Sequence, residues 1–126
     1  MKNVLLVALG GALGSVARYL LASGVQRLLP ATALPYGILS ANIIGCFLIG
    51  LLAGLGEARA LFSPQARLAL FTGFLGGLTT FSTFAHDTFN MARGEASLLT
   101  AAVHVVAHLC LGLAAVYFGY LCSRAG

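Results

Sequence analysis

The stretch GGLTTFSTFAHD, Gly76 to Asp87, places two glycines, three threonines, a serine and an acid inside a strongly apolar part of the chain. Tandem glycines disfavour helix by about 1 kcal/mol each relative to alanine, so the pattern predicts a helix that opens at Gly76-Gly77. Thr79 and Thr80 follow with hydroxyls able to take up freed backbone groups, and helix resumes over Phe81 to Met91. A break in mid-membrane exposes carbonyls at the end of one half-helix and amides at the start of the next. Carbonyls suit a cation and amides an anion. A glycine kink that serves only packing fits the same residues.

Phe81 and Phe84 are three residues apart and share a helical face. They either pack against lipid and core, or present their electropositive ring edges to a small anion, with the hydroxyls of Ser82 and Thr83 as added donors. Asn42 is the only carboxamide inside an apolar segment. It either bonds across to another helix or replaces water around a hydrated anion without the trap of a fixed charge. His104 and His108, at i and i+4, also share a face. No third metal or haem ligand is nearby, so lining of a water-accessible track suits them better, because ionisable groups inside spans are costly unless they face a cavity. Asp87 lies one turn beyond Phe84, near a helix end, where interfacial solvation and a pathway mouth are both open. Arg18 lies far into the first apolar segment and either snorkels to the interface or forms a vestibule.

The elements that must hold these groups follow from composition. The chain has 126 residues, 60% hydrophobic and 8% charged, with mean hydropathy +0.97, beyond the roughly 45 to 50% apolar content of soluble domains. Apolar segments run Val4 to Val25, Tyr36 to Gly56, Leu68 to about Phe89 and Leu98 to Leu121. Each reaches the roughly 20 residues a bilayer-spanning helix needs. The expected class is an all-α integral membrane protein of four transmembrane helices, the third broken near Gly76 to Thr80, forming a single domain over residues 1–126. Breaks are marked at Leu29-Pro30 through Pro35, Glu57 to Pro64 and Arg93-Gly94-Glu95.

Net charge is +4, but the seven basic residues are scattered singly at helix ends, as interfacial anchors are, with no patch for nucleic acid. Cys46, Cys110 and Cys122 show neither metal nor disulfide spacing. Lys2, an apolar run and Ser15-Val16-Ala17 have the outline of a secretory signal. Cleavage there would strand Arg18 and Tyr19, and Gly10, Gly11 and Gly14 read better as a packing face. Four spans put Lys2, Arg59, Arg67 and Arg124 on one side against Arg27 and Arg93, with or without Arg18, on the other. That bias is too small to orient the chain firmly; it fits one loosely specified orientation or a chain that inserts both ways and pairs antiparallel. Gly10 with Gly14 and Gly50 with Gly54 have the small-xxx-small spacing of close helix contacts. Four helices so packed leave hardly any lumen, so a transport path calls for a second subunit.

GGALGSVARY (Gly10 to Tyr19), ANIIGCFLIG (Ala41 to Gly50) and GFLGGLTTFSTF (Gly73 to Phe84) together resemble the Fluc/CrcB fluoride channels of microbes, over essentially the whole chain. The resemblance implies a passive, non-enzymatic channel in a prokaryotic cell membrane that exports fluoride, built as an antiparallel, dual-topology homodimer with two fluoride pathways and a sodium ion at the two-fold centre. It implies pathway roles for Phe81, Phe84 and Asn42, and for the carbonyls of Gly76 and Thr79 as sodium ligands. Ser82, Thr83 and Asp87 extend the implied pathway, Asp87 standing where family members often have glutamate. His104 and His108 depart from the small hydroxyl or other polar residues usual on that track. Arg18 belongs to the first motif, with a vestibule or structural role. The rival reading is a small multidrug-type proton-coupled antiporter, which would want a carboxylate deep in a helix; Glu57, Asp87 and Glu95 all lie at or near ends. A membrane enzyme or haem protein using His86, His104 and His108 lacks a nucleophile or an axial-ligand pair.

Overall fold

A computed structural model describes residues 1–29, 34–59, 61–95 and 97–125. All regular structure among them is helical, and four spans are long and apolar enough to cross a membrane. Helix α1 is Lys2–Leu28 and α2 is Tyr36–Arg59. The third span has two parts: α3, residues 64–78, α-helical at its ends and wound with the wider i→i+5 pattern over Leu68–Leu75, and α4, Phe81–Asn90, which runs into a final turn of the same wide kind at Met91–Glu95. Helix α5 is Leu98–Arg124. The helices outrun the hydropathic segments by up to a turn or so at their ends, because polar residues such as Lys2, Arg59 and Arg124 continue the helix into the interfacial region, where water or headgroups accept their charge.

The ends carry local signals. Ser63 accepts from Ala66 N (3.2 Å) ahead of Pro64, and Ser97 accepts from Thr100 N (3.1 Å), each capping the helix that follows. The third connection turns at Gly94, whose φ of 133° is the one positive glycine φ among the described residues. Most of the first connection, expected at Leu29-Pro30 through Pro35, lies outside the described residues.

Two helix pairs make the bundle, α1 with α3 and α2 with α5. Their contacts are backbone to backbone. A Cβ on Gly14 would overlap Phe74 O, one on Gly10 would overlap Ala69 O, and one on Gly50 or Gly119 would overlap Val116 O or Phe47 O. Lipid provides little hydrophobic drive between helices, so dispersion across such seams holds the bundle together. The large apolar side chains instead face outward: Val4, Leu13, Leu20, Leu98, Leu113 and Phe118 are all exposed. The spacing of Gly10/Gly14 and Gly50/Gly54 does mark seams, and Gly73 and Gly77 supply the matching face on α3.

Candidate functional site

The third span opens, but not at the glycines. Gly76 and Gly77 remain helical, and the chain becomes extended at Thr79 (φ −90°, ψ 155°) and Thr80 (φ −149°, ψ 118°). Gly77 is where α1 crosses, since a Cβ there would meet the Gly11 carbonyl, whereas a Cβ on Gly76 would meet nothing closer than 3.9 Å. The break is set by side-chain competition for the backbone. Thr79 Oγ1 donates back to Leu75 O (3.0 Å). In an unbroken helix Thr80 N–H would bond Gly76 O; here it donates to Asn42 Oδ1 (2.8 Å), while Asn42 Nδ2 donates to Thr80 O (3.1 Å). The carboxamide thus pairs with both polar groups of one extended residue, as a neighbouring strand would. Thr80 Oγ1 then accepts from Thr83 N (3.3 Å) and starts α4.

Arg18 turns inward: its Nη1 donates to Thr79 O (3.2 Å). The charge is thereby placed on the C-terminal, carbonyl-rich end of α3, where the helix dipole favours it. Gly45 on α2 gives the Thr79 methyl its seat. Helices α1 and α2 therefore converge on the two-residue break between α3 and α4.

Beyond it, Phe81 and Phe84 do share a face, with ring centroids 5.5 Å apart. Phe81 is 79% exposed on the single chain, so packing within the chain gives it no role. Phe84 lies over both histidines of α5, 5.3 Å from the His104 ring and 4.5 Å from His108. The hydroxyls of Ser82 and Thr83 lie 3.2 and 3.1 Å from Thr80 Oγ1 and form one cluster with it. Asp87 is half-buried, with His86 Nδ1 3.8 Å from its carboxylate. A cavity of about 390 Å³ opens beside the break, with Asn42, Gly45, Cys46, Thr80, Phe84 and His108 among its walls.

This surface offers one uncommitted Asn42 amide hydrogen, rotatable hydroxyls, first-turn amides of α4 and aromatic edges. All are neutral donors to an anion. As for cations, no three His, Cys, Asp or Glu side chains gather among the described residues. The oxygens available are backbone ones: Gly76 O, whose usual donor has gone to Asn42, and the lone pair of Thr79 O that Arg18 leaves free. Two carbonyls from one chain, one of them already bonded to the Arg18 guanidinium, are too few for a divalent cation and leave a monovalent one in need of further ligands.

Two roles are not evident in the sequence pattern, the capping of α4 by Thr80 and the link through Thr88. Thr80 is the residue Asn42 holds, and Thr88 donates to Phe84 O (2.8 Å) while lying 2.9 Å from His104 Nδ1. The Thr80-x-x-Thr83 spacing is a capping signal that could have flagged the first. Nothing local flags the second, whose partner is on another helix.

A broken span lined by neutral donors, in a four-span chain without a deep carboxylate, belongs to the class of membrane ion channels. Residues 5–120 match the family described as CrcB-like protein, Camphor Resistance (CrcB). Proteins named fluoride-specific ion channel FluC align end to end: 46% identical in Chlorobaculum tepidum (98% of this chain, 96% of the relative), 44% in Rhizobium etli (99% and 98%) and 43% in Geobacter sulfurreducens (98% of both). The chain belongs to this CrcB family of multi-pass membrane proteins.

Proposed function

We propose that this chain conducts fluoride passively and selectively across a prokaryotic plasma or inner membrane, lowering fluoride inside the cell. The observation that carries the reading is the broken third span, with Asn42, Phe81 and Phe84 grouped at it, in a chain that aligns end to end with fluoride-specific channels. Fluoride is small and tightly hydrated. Several weak neutral donors can replace its water without holding it, and a narrow path refuses larger halides by size. Passive conduction requires no covalent chemistry.

The working unit is an antiparallel homodimer embedded in lipid. One chain leaves Phe81 and the cavity beside it open to the surface, and a second copy there would complete the wall of a path. At the two-fold centre, Gly76 and Thr79 carbonyls from both copies would hold a sodium ion, which supplies fixed positive charge to tie the two breaks together. Ser82, Thr83, His108 and Asp87 line the fluoride path, His104 backs it against His108, and Arg18 supports the break.

A proton-coupled antiporter has no observation in its favour. Glu57 is exposed near the end of α2, within 3.4 Å of Tyr120 Oη, Asp87 is close to His86, and Glu95 ends the last turn of the third span.

The test is fluoride release, followed with a fluoride electrode, from potassium-loaded liposomes containing the purified protein plus valinomycin. Rapid fluoride release with negligible chloride release is expected. Absence of fluoride release from folded, inserted dimer overturns the reading.

A further inference from the structure

The two histidines of α5 have a definite proton arrangement. His108 Nδ1 lies 3.1 Å from His104 O, and a carbonyl only accepts, so His108 carries its proton on Nδ1. Thr88 has one hydroxyl proton, given to Phe84 O, so the 2.9 Å contact to His104 Nδ1 is a bond donated by the ring. In both neutral rings the bare, accepting nitrogen is therefore Nε2. Both Nε2 atoms are buried and meet no protein hydrogen-bond partner among the described residues, and His104 is wholly buried. His108 lines the cavity beside the break and His104 lies fully buried against it, so two bare nitrogens lie at this wall.

We propose that His104, His108 and Phe84 form a station that takes up fluoride together with one proton. This rests on the fluoride reading above. The proton adds to one Nε2, forming an N–H bond that donates to fluoride; bringing hydrogen fluoride onto the bare Nε2 gives the same composition. No electrons move. The loaded station is neutral overall, which suits a low-dielectric position where either ion alone would be costly. One proton is the limit, because the rings lie 4.4 Å apart and two imidazoliums would repel. The Phe84 ring, 4.5 Å from His108, lies within cation–π range of an imidazolium while its edges remain available to the anion. The ionisable groups around the pair are few. Asp87 lies on α4, three residues beyond Phe84, Cys46 on α2 lines the same cavity as His108, and Arg93 in the turn after α4 is stacked over Phe89.

Nitrogen-15 NMR of histidine-labelled dimer, titrated with pH in sodium fluoride and in equal sodium chloride, decides this. Histidine protonates near pH 6.5 when unperturbed. Fluoride should raise the Nε2 protonation midpoint of His108 or His104 by about one pH unit relative to chloride, a tenfold preference of fluoride for the protonated pair. Exposed His86 should not respond. In folded His108→Gln the fluoride-linked shift at His104 should fall away; the wild-type titration stands alone if that variant does not fold. Identical midpoints in the two salts, or equal shifts with chloride, overturn the proposal. Fluoride efflux from liposomes made with the same preparation separates the two readings: efflux without a linked titration overturns the station alone, and neither signal overturns the fluoride reading as well.

Discussion

The two halves of the third span are built on opposite principles. Helix α3 is pressed backbone to backbone against α1 through Gly73 and Gly77, with Leu75 and Leu78 buried. Helix α4 has no fully buried residue; it is held by the Asn42 pairing at its start and by the Thr88 contact to His104. One half is fixed by contact area and the other by a handful of directed hydrogen bonds. The difference teaches why a site for ions can sit in mid-membrane. The packed half supplies a rigid carbonyl end, and the sparsely packed half leaves its hydroxyls, amides and rings free to face a path.

The largest effect should come from breaking the packed half. Gly77→Ala puts a methyl on the Gly11 carbonyl, so α1 and α3 must separate, at a cost of about 3 kcal/mol or more. Gly76→Ala, one residue earlier, meets nothing in its own chain closer than 3.9 Å and gains helix propensity, so it should lower the thermal midpoint in detergent far less than Gly77→Ala does. Equal behaviour of the pair would show that the glycines serve flexibility and not the crossing.

Asn42→Ala should come next, removing both partners of the Thr80 backbone at about 1–3 kcal/mol for each group left unsatisfied. Fluoride efflux should fall by more than tenfold while the chain still sediments as a dimer. Full efflux would mean that the break holds without its clamp. Phe81→Ile and Phe84→Ile should each lower efflux by about tenfold, or ~1.4 kcal/mol on the barrier, without dissociating the dimer. For exposed Phe81 the thermal midpoint should hardly move, and wild-type efflux in both variants would reassign the rings to packing. Smallest, Ser97→Ala should remove the cap of α5 at about 1 kcal/mol and leave efflux unchanged, since its hydroxyl bonds to Thr100 at the start of α5.

What the sequence by itself determined is the class: four apolar segments of membrane-crossing length, their glycine seams, the interruption of the third, and the shared face of Phe81 and Phe84. These are local properties, because hydropathy and helical period act over a few turns. The residue at which the third span opens was decided only in three dimensions. The glycines invited a break at Gly76-Gly77, yet α1 lies on Gly77, and Asn42, 38 positions from Thr80, captures the amide that would have continued the helix. Likewise His104 and His108 show only an i, i+4 spacing in the sequence. Which of their nitrogens is protonated and which is bare depends on Thr88 and a carbonyl of α5 itself. Hydrogen-bond partners across helices are selected by where backbones cross, and that depends on all the seams at once.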